Sequence, residues 1–188
     1  RAENIDFILA VGGGSVIDEA KFVGIALKYD GDPWDLATGK APITDTLPIV
    51  AVVTIPATSS ELNGTSVMSY EAIQRKDGFA NPIMRPKVAI LDPGLTCSIP
   101  IKQTAFSAAD IISHLVEAYF GHNLPWAPFQ DHYCQASIRT IMECMDRLLV
   151  DPADKEARAQ MMWTASYAWN GFYPNGLGPC DATIHVLG

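Results

Sequence analysis

Asp110 and His114 stand four residues apart in the run Ala108–His114, AADIISH. On a helix, residues at that spacing leave the same face. A carboxylate and an imidazole so placed can hold a hard or borderline divalent cation such as Fe²⁺ or Zn²⁺. His185, far downstream, can complete such a site if the fold returns it to that face. The same spacing also suits a plain polar face carrying Asp110, Ser113, His114 and Glu117. Ile111, Ile112, Leu115 and Val116 flank the pair and favour a buried helix. A buried aspartate needs a partner or a metal. Glu117, one turn on, is a weaker ligand candidate. His122 and His132 fall in or near a proline-bearing break and read as structural or exposed.

A second kind of chemistry sits near the N-terminus. Phe7–Val11 is a short apolar run followed by Gly12, Gly13 and Gly14, then by helical spacing from Ser15. Strand, glycine turn and helix make a phosphate-binding arrangement, because glycines let the backbone approach the anion and the helix start offers unpaired N–H groups. Gly12 and Gly14 match the first two glycines of the dinucleotide fingerprint, while Ile17 stands where the third belongs. A tight turn without a ligand is the competing reading. Ser15 and Asp18 fit a capping box, which would explain Asp18 by capping and helix-dipole stabilisation. Thr54, Thr58, Ser59 and Ser60 then gather hydroxyls after a second apolar run, followed by Glu61 and Asn63. In open α/β sheets ligands bind at the carboxyl ends of strands. Lys76 is placed to reach a phosphate or ribose from a turn.

The elements that must position these groups fall into two parts. Apolar runs at Phe7–Val11, Pro48–Ile55 and Lys87–Leu91 read as buried parallel strands covered on both faces. Ser15–Leu27 reads as a helix. Gly31–Pro33 ends that unit, and Thr38–Pro42 reads as a loop. Ser66–Tyr70 and a segment near Phe79 read as a hairpin across a Gln74–Gly78 turn. From about Gln103 the pattern is helical, with helices expected near 104–120, 127–149 and 153–172 and another from about 180. The domains expected are 1–102, a nucleotide-binding α/β part, and 103–188, a helical metal-binding part.

Composition bounds the function. The 188 residues are 48% hydrophobic and 18% charged, as in an ordinary globular protein. A net charge of −8 argues against nucleic acid or an anionic membrane surface as partner. No apolar run approaches the length of a membrane span. Cys97, Cys134, Cys144 and Cys180 form no C-x-x-C pair and read as buried, inert thiols of a reducing cytoplasm. No signal peptide is expected, and both ends read as cut from a longer protein.

The chain resembles the middle half of an iron-containing (group III) alcohol dehydrogenase, in the branch of butanol dehydrogenases and NADPH-dependent aldehyde reductases. The matching stretches are Ala10–Lys21 (AVGGGSVIDEAK), Thr54–Asn63 (TIPATSSELN), Leu91–Pro100 (LDPGLTCSIP), Ala108–His114, Trp163–Gly171 (WTASYAWNG) and Asp181–Gly188 (DATIHVLG). The resemblance implies a dehydroquinate synthase-like architecture truncated at both ends, with an α/β nucleotide-binding part, an all-α part and a site in the cleft between. It implies Asp110, His114 and His185 as metal ligands, catalytic through the metal. It implies Gly13, Gly14, Ser15, Asp18, Thr54, Thr58, Asn63, Lys76 and Leu95 as cofactor-lining positions. Ser59 stands where the family usually has glycine, and a fourth ligand is expected beyond Gly188.

The activity so implied is reversible hydride transfer between NADP or NAD and a primary alcohol or aldehyde, with a divalent metal as Lewis acid. Trp163, Trp169 and Phe172 are candidates for an apolar substrate pocket, against a core role. Glycerol dehydrogenase-like and dehydroquinate synthase-like enzymes are the alternatives on the same scaffold. An inactive fragment serving as a binding or assembly module is a further one. Partners are expected to be a small alcohol or aldehyde and a second copy in a homodimer, in the cytoplasm, with no nucleic acid or membrane.

Overall fold

β-branched and small apolar residues form three short parallel strands, β1 (Ile8–Gly12), β2 (Ile49–Val53) and β5 (Val88–Ile90), in the order β1-β2-β5. The register pairs Leu9 with Val50 and Val50 with Val88, so side chains alternate between faces in step. The structure is a computed structural model that describes residues 4–121 and 125–170. The chain divides into two compact units, Arg1–Thr54 with Ser60–Ile90, and Ile55–Ser59 with Leu91–Gly188.

In the first unit, helix α1 (Gly14–Ala26) packs on β1 and β2 and covers the face of Ala10, Ile49, Ala51 and Val53. Gly12 makes this close approach possible, because a Cβ there would lie 2.6 Å from the Val16 side chain. The described residues leave the opposite face open: Leu9, Val11, Val88 and Ile90 are exposed. Coverage of both faces, expected from the apolar runs, is therefore seen for one face only. A short helix, α2 (Pro33–Ala37), follows where the sequence reads as the end of a unit. Asp32 caps it by accepting from the Trp34 N–H at 2.9 Å, and Pro33 opens the first turn.

The hairpin is present, but its turn is elsewhere. β3 (Thr65–Tyr70) pairs antiparallel with β4 (Arg75–Ala80), Val67 facing Gly78 and Ser69 facing Lys76. The turn is a 3₁₀ segment, Glu71–Ile73, closed by Gln74 at φ 51°. A left-handed residue reverses the chain at Gln74, so Gly78 is free to be a strand residue and Lys76 is not in a turn. Gly64 precedes β3 where a Cβ would overlap the Asn81 carbonyl.

The second unit is helical: α3 (Ile101–Gly121), α4 (Pro128–Val150) and α5 (Lys155–Ala168). Their apolar stripes meet in one core of Ala108, Ile111 and Leu115 with Cys134, Ile141, Cys144 and Leu148 and with Ala157, Met161 and Ala165. Burial pushes the Cys134 and Cys144 thiols up, which keeps them protonated and inert. Asp154 caps α5 by accepting from Glu156 and Ala157 N–H at 3.1 Å. The helix expected from about 180 lies outside the described residues, as do His122, Phe172 and Cys180.

Ile111 is fully buried, whereas Met142 is 58% exposed. Ile111→Ala should cost about 2–5 kcal/mol of stability through lost burial and a cavity. Met142→Ala should stay within about 0.5 kcal/mol. Urea unfolding followed by circular dichroism measures both.

Candidate active site

The glycine turn ends β1 and starts α1 without a side-chain cap; Gly13 is the capping position. The first intrahelical bond runs from the Ile17 N–H to the Gly13 carbonyl at 3.2 Å. The N–H groups of Gly14, Ser15 and Val16 therefore have no acceptor within the helix. This corrects the capping box read from Ser15 and Asp18. The helix starts at Gly14, so Asp18 falls beyond the first turn, and its carboxylate is engaged elsewhere.

Asp18 Oδ1 accepts from Ser60 Oγ at 2.5 Å, and Oδ2 accepts from the Val67 N–H at 3.0 Å. Ser66 Oγ donates to the Asp18 carbonyl at 2.9 Å. One turn along α1, Lys21 is 0% exposed. Its ammonium donates to Ser60 Oγ (2.7 Å), Asn63 Oδ1 (3.1 Å) and the Thr65 carbonyl (2.6 Å), with Asp18 Oδ1 at 3.6 Å. Asn63 Oδ1 also accepts from the Thr65 N–H at 2.9 Å. The Thr54 N–H donates to the Gly12 carbonyl at 2.9 Å, which brings the end of β2 to the glycine turn. Burial pulls the Lys21 amine down to about 8, opposed by the charges of Asp18 and Glu61. Burial likewise pushes the Asp18 carboxyl up, opposed by Lys21, Ser60 and Val67. For both groups desolvation outweighs their mutual attraction. Lys21 was not among the residues singled out from sequence; its signal was the i, i+3 spacing from Asp18.

The second unit carries the carboxylate–imidazole pair. Asp110 and His114 leave one face of α3, with His114 Nε2 4.0 Å from Asp110 Oδ1. His114 is buried, and Asp110 is partly exposed. The Trp169 ring lies against the imidazole at 5.2 Å between centroids. Glu117, one turn on, is buried as well. Trp163 is exposed and packs on Tyr167, so of the two described tryptophans proposed for a pocket only Trp169 adjoins the pair. Two donors about 3–4 Å apart can share a cation at ordinary ligand distances of about 2.0–2.2 Å. The pair therefore fits a divalent metal. Among the described residues no group of three or more His, Cys, Asp or Glu is assembled for a metal. His185 lies outside the described residues.

Ser59, the departure from the family pattern, is held at φ 55° and is almost fully buried. Its hydroxyl donates to the Ala165 carbonyl and accepts from the Trp169 N–H at 3.3 Å. The left-handed conformation that glycine adopts freely is kept here by side-chain bonds to the end of α5. Thr58 and Leu95 also belong to the second unit, Leu95 in a 3₁₀ turn (Pro93–Thr96). Lys76 lies on β4, opposite Ser69 of β3.

The family follows from this fold and from sequence comparison. The profile of iron-containing alcohol dehydrogenases matches residues 1–93, and that of the C-terminal part of the Fe-containing alcohol dehydrogenase family matches residues 104–188. The chain belongs to the iron-containing alcohol dehydrogenase family. It is 40% identical over 186 residues to the probable NADH-dependent butanol dehydrogenase 1 of Bacillus subtilis, covering 99% of this chain and 48% of that protein. It is 37% identical over 191 residues to the NADPH-dependent aldehyde reductase YqhD of Escherichia coli, covering 100% of this chain and 49% of that protein. The crystal structure of NADH-dependent butanol dehydrogenase A from Thermotoga maritima superposes with a TM-score of 0.88 at 41% identity, over 94% of this chain and 44% of that one. The chain thus spans about half the length of the curated relatives it matches. Among the described residues no helix is long and apolar enough to cross a membrane.

Two outcomes follow from the buried groups. Unfolded lysine titrates near 10.5, and folded Lys21 near 8. Between those values the unfolded chain keeps a proton that the folded chain has released, so stability rises with pH across that window. Urea melts at stepped pH should show this rise, and Lys21→Met should remove its share. Ser59→Ala should lose about 1–3 kcal/mol with its buried hydrogen bonds. Ser59→Gly should lose less, because glycine takes the left-handed backbone without a steric cost; the same melts compare the two.

Proposed function

We propose that this chain is part of a metal-dependent oxidoreductase that moves a hydride between NAD(P)H and a primary alcohol or aldehyde. The observation that carries the reading is the glycine-started, uncapped α1 at the carboxyl end of β1, in a chain whose α3 presents Asp110 and His114 as a pair. The names of the relatives, butanol dehydrogenase and aldehyde reductase, support it.

When bound, the metal would polarise the substrate oxygen as a Lewis acid and the nicotinamide would supply or receive the hydride. The work of this chain's residues is to hold and orient. The N–H groups of Gly14, Ser15 and Val16, which have no acceptor within the helix, offer donors and a positive helix end to a pyrophosphate. Gly13, Gly14, Ser15, Asp18, Thr54, Thr58, Asn63, Lys76 and Leu95 remain the proposed cofactor positions. Asp110 and His114, with His185, would hold the metal. Trp169 shields one side of the His114 ring, which limits the water that reaches it.

The reading extends to iron as the metal, to a homodimer in the cytoplasm, and to a nucleotide-binding part over 1–102 followed by a helical part over 103–188. The family name supports iron. Both NADH and NADPH occur in the relatives' names, so either cofactor fits.

The test uses the full-length parent protein. Asp110→Ala and His114→Ala should each lower bound metal, read by elemental analysis, by about ten- to hundredfold in affinity. Both should also abolish butyraldehyde-dependent oxidation of NAD(P)H. Full metal occupancy and unchanged turnover in Asp110→Ala would overturn the proposal.

A further inference from the structure

Lys21 is a fully buried cation to which the mechanism above gives no task. Its hydrogen bonds run to Ser60, Asn63 and Thr65 and join that segment to α1. Its three N–H groups meet three acceptors on the stretch Ser60–Thr65, so every donor of the ammonium is used. Ser60 relays this hold to α1 by donating to Asp18, and Val67 N–H fixes the other carboxylate oxygen. Helix, loop and strand β3 are thereby closed into one bonded set around a single amine.

We propose that Lys21 is a positioning residue for the nicotinamide cofactor: by fastening Ser60–Thr65 to α1, it sets the shape of the half-site that receives the cofactor's pyrophosphate and ribose. The inference rests on the reading of the glycine turn as a cofactor site. Lys21 acts through Ser60, Asn63 and Asp18 and touches no reacting atom. Asn63 and Asp18 are proposed cofactor positions, and both are oriented by bonds to this cation or to its partner Ser60. Without the amine, buried oxygens of Ser60, Asn63 and Thr65 lose a donor and the Asp18 carboxylate loses its cation. The loop must then shift to recover partners. Such a shift weakens cofactor binding, and none of the residues bonded to Lys21 is a proposed metal ligand.

The experiment titrates NADH and NADPH fluorescence against the full-length parent carrying Lys21→Met or Ser60→Ala. Bound metal and butyraldehyde kinetics are measured on the same preparations. Lys21→Met should weaken cofactor binding by about ten- to hundredfold. Ser60→Ala, which removes one acceptor of Lys21 and the donor to Asp18, should weaken it a few-fold and serves alone if the lysine variant does not fold. Bound metal should match the unsubstituted protein. At saturating cofactor kcat should hold, so that the loss appears in the cofactor KM. A lower melting temperature with unchanged cofactor affinity in a folded variant would overturn the proposal and leave Lys21 a merely structural cation. An unsubstituted parent that bound neither nicotinamide would overturn the reading of the glycine turn itself, a distinct result because no substitution is involved.

Discussion

A charge removed from water must be met on every side, and Lys21 imposes that requirement on the whole first unit. Leaving such a cation unpaired costs several kcal/mol. The fold meets it with two side-chain oxygens, a carbonyl and a nearby carboxylate. Those partners come from α1, from the 3₁₀ turn at Ser60–Leu62 with Asn63 just after it, and from the start of β3. They cannot all be satisfied unless the three segments keep a fixed spacing. The glycine turn inherits that spacing, because Gly12 lets the first turn of α1 rest against the end of β1. Desolvation outweighs the mutual attraction of Lys21 and Asp18, raising the carboxyl and lowering the amine.

The second unit solves a different problem. Ile111 and Leu115 face the helical core, and that anchors the rotation of α3. With the rotation fixed, Asp110 and His114 fall on one adjoining stripe and cannot separate. Trp169 at the end of α5 backs the imidazole, and the Ser59 hydroxyl bonds the Trp169 N–H. A second buried cation, Arg158, ties the start of α3 to α5 by donating to Thr104 Oγ1 at 2.8 Å and to the Pro152 and Ile99 carbonyls. Both units thus use a buried cation as a fastener, and both place their candidate functional groups on helices packed against a core.

Periodicity made the strands and long helices legible, since their apolar spacing is local. The ends and irregular parts were less so. Ser15 and Asp18 have the spacing of a capping box, but the helix begins at Gly14 and Asp18 is taken by Ser60 and Val67, partners more than forty residues away. No local pattern reveals such partners. The hairpin turn is expected over Gln74–Gly78, whereas it runs over Glu71–Ile73 and is closed by Gln74 in the left-handed conformation. Lysine on a helix ordinarily reads as solvated, which is why Lys21 passed unnoticed beside Asp18. The Asp110–His114 pair was legible because i, i+4 spacing is a property of the helix alone. Its third expected ligand, His185, lies outside the described residues.

The proposed hydride transfer requires a metal held by Asp110 and His114. An anomalous-difference map from crystals of the metal-loaded, full-length parent tests it most directly. A peak is expected about 2.0–2.2 Å from a carboxylate oxygen of Asp110 and from a ring nitrogen of His114. A metal bound elsewhere in the protein, with this pair left unligated, would contradict it.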